Sequence, residues 1–283
     1  MDFLDFYKLK EHPFSSSIDN RFYYNSSQHA EALLRLRYAV DTMKGLAVVV
    51  GGVGTGKSTL ARRMLDELDE TVYEAALLIV LHTSVTTDWL MKKIAMQLGV
   101  KNIGSTKLDV LGQVARKLHA IHDSGLKTVI LVDEVQMLNS REIMEEFRGL
   151  LNMEVPEGKL ITLVLFGLPE LEEVLSLDLP LKQRIAVKYK MTGFEQNITE
   201  EYIKHRLKVA GGQEDIFAPE AIQAIHYYSR GTARLINTIC DNSIFEGFLV
   251  KAKSIGRDVV ESVAQTLDLQ PTDETAEEYR NFG

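Results

Sequence analysis

Two kinds of hydrophobic spacing alternate along the first two thirds of the chain. Short apolar runs that are typical of buried strands occur at residues 46–50, 77–82, 128–132, 160–166 and 186–191. Around them, apolar residues recur at the three- and four-residue spacing of amphipathic helices, at residues 27–43, 57–69, 87–98, 107–122 and 140–151. Because strands that alternate with helices form parallel sheets covered by helices on both faces, this pattern predicts an α/β fold.

After about residue 193 the strand pattern stops. Four segments with helical spacing follow, separated by Gly or Pro: "ITEEYIKHRLKVAG", "APEAIQAIHYYSRG", "TARLINTICDNSIFEGFLVKA" and "GRDVVESVAQTLDL". They predict a small α-helical domain behind the sheet. We therefore expect four parts: an aromatic-rich N-terminal arm and helix at 1–45, an α/β domain at 46–192, a helical lid domain at 193–268, and an acidic, disordered tail at 269–283.

Composition narrows the setting in which the protein works. The chain has 283 residues, 45% of them hydrophobic, with no run of about 18 apolar residues and no basic, apolar N-terminus. We therefore expect neither membrane insertion nor a signal peptide. The single cysteine, Cys240, cannot form an internal disulfide, and this fits a reducing compartment. Together these features predict a cytoplasmic protein.

The net charge of −8 disfavours nucleic acid as the main ligand, because contacts with phosphates require local positive charge. A basic patch on one face would still allow DNA to bind. Six basic residues lie close enough in sequence to form such a patch or, equally, a solvated helix surface: Lys92, Lys93, Lys101, Lys107, Arg116 and Lys117.

A glycine-rich segment, "GGVGTGKST" at residues 51–59, follows the first strand pattern and precedes a helical one. It matches G-x-x-x-x-G-K-[ST], in which glycines let backbone N–H groups turn towards phosphates at a helix N-terminus. Lys57 would reach the β- and γ-phosphates, Ser58 would hold Mg²⁺, and Thr59 offers a second hydroxyl. The segment therefore predicts a site for a nucleoside triphosphate, formed by Gly52, Val53, Gly54, Thr55, Gly56, Lys57, Ser58 and Thr59.

A second segment, "TVILVDEVQ" at residues 128–136, combines a buried-strand pattern with two adjacent carboxylates. Asp133 at the strand end would hold Mg²⁺ opposite Ser58, and Glu134 would act as general base towards the attacking water. Adjacent acids also occur as simple exposed strand ends. The glycine-rich segment favours the functional interpretation.

The strand pattern at 77–82 lies between the glycine-rich segment and Asp133, and Glu134 directly follows Asp133. Both features indicate the branch of NTPases that inserts a strand between the two motif strands and uses a glutamate base. Hydrolysis of ATP is the natural reaction of such a site. A nucleotide kinase would be expected to carry additional Arg-rich lid residues, which the sequence lacks.

With these motifs the chain resembles the AAA+ ATPases, P-loop NTPases in which helices sandwich a parallel sheet and a small helical lid domain follows. Within them it resembles the ExeA/GspA type of secretion ATPase, and the TniB/TnsC transposition ATPases are similar. The resemblance covers residues 3–245 and is carried by "FYKLKEHPFSSSIDNRFYYNSSQHAEAL", "GGVGTGKST", "LVDEVQML", "EEFRGLLNMEV", "LVLFGLPEL", "LKQRI" and "GTARLINTICD".

The resemblance implies roles for three further side chains. Arg184 in "LKQRI" matches the arginine finger that reaches a neighbouring subunit's nucleotide, and Arg234 in "GTARLIN" matches the second sensor, which contacts the γ-phosphate. Gln136 would lie near the attacking water. A finger that acts in trans implies a homo-oligomer, either a ring or a filament.

One position departs from the family pattern. Leu168 stands where a polar residue usually follows the glycine of "GxPEL", so the first-sensor contact is missing from the side chains at this strand end. Thr162 lies too early in the same strand to replace it. Slow or partner-dependent hydrolysis would follow.

Three functions stay open at this stage. The first is an ATP- and Mg²⁺-dependent motor or regulator that assembles a secretion, pilus or envelope apparatus with a protein partner. The second is a DNA-binding ATPase that selects transposition targets. The third is a nucleotide-dependent scaffold with weak turnover.

Overall fold

The structure is a computed structural model, and it describes residues 2–15 and 19–270. The strands in these ranges are β1 Leu46–Gly51, β2 Tyr73–Ile79, β3 Lys127–Asp133, β4 Glu154–Val155, β5 Gly158–Lys159, β6 Ile161–Gly167 and β7 Ile185–Met191. The helices are α1 Phe3–Tyr7, α2 Ser27–Asp41, α3 Lys57–Glu67, α4 Thr87–Gln97, α5 Lys107–Asp123, α6 Arg141–Leu151, α7 Leu171–Leu175, α8 Leu179–Lys182, α9 Gln196–Val209, α10 Pro219–Ser229, α11 Ala233–Leu249 and α12 Arg257–Thr266.

Five strands form one parallel sheet in the order β2-β3-β6-β1-β7. The strand inserted between β1, which leads into the glycine-rich segment, and β3, which ends at Asp133, is therefore β6. Sequence reasoning had pointed to the pattern at 77–82, which instead belongs to β2 at the edge of the sheet. The burial of the two strands agrees with their places in the sheet. The inner strand β6 is buried along its whole length, whereas the edge strand β2 alternates between buried and half-buried positions.

Helices cover both faces of this sheet, which confirms the predicted α/β class. Along β1, Leu46, Val48 and Val50 pack with apolar side chains of α4, α5 and α6. Ala47 and Val49 point to the opposite face and pack with α2 and α3. Since successive strand residues face opposite sides, a fully apolar run such as "LAVVV" is what a strand between two helix layers requires.

The chain divides into two compact units. The sheet unit contains Ser27–Gly52 and Lys57–Met191, and the helical unit contains the described residues up to Ser26, Val53–Gly56, and the described residues from Thr192 to 270.

In the helical unit, aromatic residues of the arm share one core with α9 to α12, among them Tyr7, Phe14 and Phe22. Buried Arg206 of α9 donates hydrogen bonds to the carbonyl oxygens of Pro13 (2.6 Å) and Ser15 (3.0 Å).

Several short elements escaped the sequence patterns: α1, α7, α8 and the β4–β5 hairpin. The acidic tail that was predicted from residue 269 lies, from 271 on, outside the described residues. None of the described helices has the length and the apolar composition needed to span a membrane.

Candidate functional site

The glycine-rich segment joins the end of β1 to the start of α3, which begins at Lys57. Gly54 and Gly56 adopt φ angles of +76° and +95°. These angles lie in the left-handed region that residues with a side chain rarely adopt, so glycine is needed at both positions. The segment ends on the N-terminus of α3, where the N–H groups of the first turn and the helix dipole favour an anion.

Lys57 is buried although it is charged. Its ammonium Nζ donates hydrogen bonds to the carbonyl oxygens of Gly51 and Gly52, each at 2.8 Å. The lysine is therefore folded along its own loop, where its charge is fixed beside the segment's backbone. Of the other residues predicted in this segment, Thr55 is buried, and Val53, Ser58 and Thr59 are exposed.

Asp133 lies at the carboxyl end of β3 and is only 2% exposed. Burial raises the pKa of this carboxyl group, and the hydrogen bonds from the Ser58 hydroxyl and from the Glu134 N–H (2.9 Å), with the charge of Lys57, partly oppose the rise. The two residues predicted to hold Mg²⁺ thus lie near each other. Their hydroxyl and carboxylate oxygens are the hard donors that this ion prefers, and they fit it.

Glu134 has a left-handed backbone conformation, with φ +61° and ψ +38°. Such a conformation is uncommon for a residue with a side chain, and it turns the chain sharply at the end of β3. Oε2 of Glu134 accepts a hydrogen bond from Nε2 of Gln136 at 2.5 Å. At its other end, Oε1 of Gln136 accepts a hydrogen bond from the backbone N–H of Leu168 at 3.0 Å.

The contact between Gln136 and Leu168 was not predicted. The absence of a polar side chain at position 168 is evident from the residue type, but the partner of Gln136 is a main-chain N–H, which no residue type reveals. Thr162, at the other end of β6, is fully buried and its hydroxyl faces Sδ of Met43 at 3.7 Å. It does not take part in this cluster.

Arg184 lies in the turn before β7 and is half-buried. Its guanidinium donates a long hydrogen bond of 3.4 Å to the carbonyl oxygen of Arg148 in α6. Arg148 in turn pairs with the carboxylate of Asp178 at 3.0 Å. Arg184 is therefore supported by an ion pair that sequence reasoning missed.

Arg234, near the start of α11, belongs to the helical unit and its side chain is exposed. Within the same unit its backbone N–H lies 3.4 Å from the carbonyl oxygen of Gly54. A Cβ atom on Gly54 would lie 2.8 Å from Cβ of Arg234 and 2.9 Å from Cγ2 of Thr232. Glycine at 54 is thus required by close packing as well as by its φ angle.

Comparison with known proteins agrees with this arrangement. Residues 40–175 match the family model described as "AAA domain". General secretion pathway protein A of Aeromonas hydrophila is 35% identical over 249 residues, which are 87% of this chain and 45% of that protein. The chain thus spans less than half the length of this relative.

Two archaeal structures share the fold. The ORC2 protein of Aeropyrum pernix, in ADPNP–ADP complexes, has a TM-score of 0.65 at 16% identity, covering 90% of this chain and 71% of that one. Cdc6p of Pyrobaculum aerophilum has a TM-score of 0.67 at 18% identity, covering 90% and 70%. The chain therefore has the fold of the AAA+ P-loop NTPases, matches the AAA domain over residues 40–175, and is similar over 87% of its length to General secretion pathway protein A.

Proposed function

We propose that the protein binds ATP with Mg²⁺ and hydrolyses it to ADP and phosphate as a homo-oligomer. The single observation that carries the proposal is the cluster at the carboxyl ends of β1 and β3, where the Ser58 hydroxyl, Lys57 and Glu134 all act on the buried Asp133 carboxylate. In parallel α/β sheets, ligands bind outside the carboxyl ends of the strands.

Each residue has a distinct part in this reaction. The N–H groups of residues 52–59 and the ammonium of Lys57 hold the phosphates. Ser58 and Asp133 would hold Mg²⁺, which neutralises charge on the phosphate oxygens when bound. Glu134 accepts the proton of the attacking water.

Arg234, and Arg184 of a neighbouring protomer in a ring or filament, offset the charge that develops on the transferred phosphoryl group.

We infer that ATP turnover drives or regulates the assembly of a secretion, pilus or envelope apparatus, in the cytoplasm and with a protein partner. The name of the 35% identical relative, which refers to general secretion, supports this inference. DNA is the less favoured partner. Two of the six basic residues considered for a patch are already paired with acids, Lys92 with Asp88 and Lys107 with Glu146.

Phosphate release in steady state tests the enzymatic proposal. We expect Mg²⁺-dependent turnover by the protein and none by Lys57→Ala, because the variant loses the charge that holds the β- and γ-phosphates. ATP binding without turnover by the parent protein would favour the scaffold role instead.

A titration of duplex DNA with ATP at rising salt separates the two kinds of partner. Tight binding that weakens steeply with salt would favour DNA over a secretion apparatus.

A further inference from the structure

The side-chain amide of Gln136 makes a hydrogen bond at each end, and its two partners, Glu134 and Leu168, are distant from each other in sequence. Its oxygen accepts from the main-chain N–H of Leu168 at 3.0 Å, and its nitrogen donates to Oε2 of Glu134 at 2.5 Å. The orientation of the amide follows from the partners. An N–H can only donate and a carboxylate can only accept, so the oxygen must face Leu168 and the nitrogen must face Glu134.

The end of β6 is shaped to accept this amide. A Cβ atom on Gly167 would lie 2.9 Å from Oε1 of Gln136 and 2.9 Å from Cδ2 of Leu171. Real Cβ atoms essentially never lie so close to their neighbours. The oxygen of the Gln136 amide therefore occupies space that is open because residue 167 is a glycine. The next residue, Leu168, supplies the N–H that donates to this oxygen.

The backbone N–H of Leu168, which holds the oxygen of the Gln136 amide, directly follows the rigid strand β6. β6 pairs with β3 on one side and with β1 on the other, and its side chains are fully buried. Glu134, by contrast, follows the last residue of β3, and its side chain has several rotatable bonds. A group that performs chemistry must be held to within about half an ångström, which a free glutamate side chain does not achieve on its own.

We propose that Gln136 is a positioning residue, which ties the carboxylate of Glu134 to the main chain at the end of β6. It thereby replaces the polar side chain that position 168 lacks. The proposal rests on the proposed function in so far as Glu134 is the general base. It differs from the sequence-based expectation for Gln136, since the residue acts through Glu134 and not on the attacking water.

Gln136→Met tests this role, because methionine keeps the length of the side chain and removes both hydrogen bonds. Gln97→Met, on the exposed side of α4, is the matched control. We expect kcat to fall about tenfold or more in Gln136→Met with the Kd for ATP within about twofold, since an unaimed base loses much of the 10²- to 10⁴-fold that general base catalysis supplies. An unchanged kcat, or a loss confined to ATP binding, would overturn the proposal.

A double-mutant cycle with Glu134→Gln separates positioning from direct action on water. If Gln136 works only through Glu134, adding Gln136→Met to Glu134→Gln changes the residual rate by less than about twofold. If the two losses multiply, Gln136 acts on the water itself and the proposal is wrong.

Hydrogen exchange at the Leu168 amide tests the contact without relying on activity. We expect that amide to exchange about tenfold faster in Gln136→Met than in Gln97→Met, because its acceptor is gone. Gly167→Ala keeps the glutamine at position 136 but crowds its amide oxygen. We therefore expect this variant also to show faster exchange of the Leu168 amide and a lower kcat. If the Leu168 amide exchanged as slowly in Gln136→Met and Gly167→Ala as in the parent protein, the proposed hydrogen bond between Gln136 and Leu168 would be refuted. If the parent protein turned over no ATP, the proposed function would fail, whereas this exchange measurement would still decide the contact.

Discussion

Burial sets the protonation behaviour of several single side chains, and His29 in α2 is a clear case. It is 4% exposed, and desolvation lowers its pKa from 6.5 to about 4. The unfolded chain therefore takes up a proton below pH 6.5 that the folded protein refuses until about pH 4. Stability from this residue is full above pH 6.5 and is lost as the pH falls through that window.

We predict that this loss is measurable against His29→Gln, which has no ionisable group at this position. Between about pH 7.5 and pH 5, the free energy of unfolding of the parent protein should fall by about 2 kcal/mol more than that of the variant. Urea denaturation at the two pH values measures both. Equal losses in the two proteins would show that His29 is not held neutral.

A second prediction at this scale concerns the adjacent hydroxyls of Ser58 and Thr59. Both residues are exposed, but it is the Ser58 hydroxyl that interacts with the Asp133 carboxylate. Ser58→Ala should raise the Mg²⁺ concentration for half-maximal ATP turnover about tenfold or more, since a lost ligand or its partner typically costs 10- to 100-fold in metal affinity. Thr59→Ala should change it by less than about twofold. The reverse order would assign the metal to Thr59.

Most residues of the candidate site could be predicted from the sequence, because the glycine-rich segment and the paired acids combine residue type with spacing. Lys57, Ser58, Asp133 and Glu134 were all named from the sequence, and the structure brings them together. The tie through Gln136 could not be named in advance, since it depends on a backbone N–H and on space beside Gly167.

At the scale of elements, Asp178 links two helices of the sheet unit. One oxygen caps α8 by accepting the N–H of Leu181 at 2.8 Å, and the other pairs with Arg148 of α6 at 3.0 Å. Burial alone would raise the pKa of this carboxyl group, but these hydrogen bonds outweigh it and the pKa is lowered.

We predict that Asp178→Ala lowers the free energy of unfolding by about 2–4 kcal/mol, because it removes a helix cap and leaves Arg148 without its buried partner. Glu145→Ala is the control. It breaks the exposed pair with Arg141 in the same unit and should cost less than about 1 kcal/mol. Chemical denaturation of the three proteins provides the comparison. A cost for Asp178→Ala as small as the control's would contradict the role given to this carboxylate.

The long elements were predictable because their apolar periodicity extends over many residues. α5, for example, was expected at 107–122 and spans Lys107–Asp123. The short helices α7 and α8 contain too few residues to show a period. Strand order was harder still, because the inserted strand β6 follows β3 in sequence and pairing partners are set by tertiary packing.

At the scale of the whole molecule, the arm shares the core of the helical unit, as Arg206 and its contacts with Pro13 and Ser15 show. The arm is rich in aromatic residues, but an irregular segment has no periodicity that would predict which core it joins.

The proposed action of Arg184 in trans makes a prediction about mixtures of subunits. Arg184→Ala and Glu134→Gln should each have little turnover, while their mixture should regain part of it. A mixed interface can combine an intact Glu134 from one subunit with an intact Arg184 from its neighbour. Mixing Arg184→Ala with the double variant that carries both Arg184→Ala and Glu134→Gln should give no recovery, because no subunit then has an intact Arg184. Lack of recovery at every ratio of the first mixture would argue against a finger from a neighbouring protomer.

Glu134→Gln alone tests the central claim most directly, by comparing ATP binding with a single turnover on the same protein. The substitution keeps size and hydrogen bonding but removes the base, so we predict that the Kd for ATP stays within about twofold while the rate of bond cleavage falls by 10² or more. If the variant instead cleaved ATP at the parent rate, Glu134 would not be the base and the proposed site would be wrong.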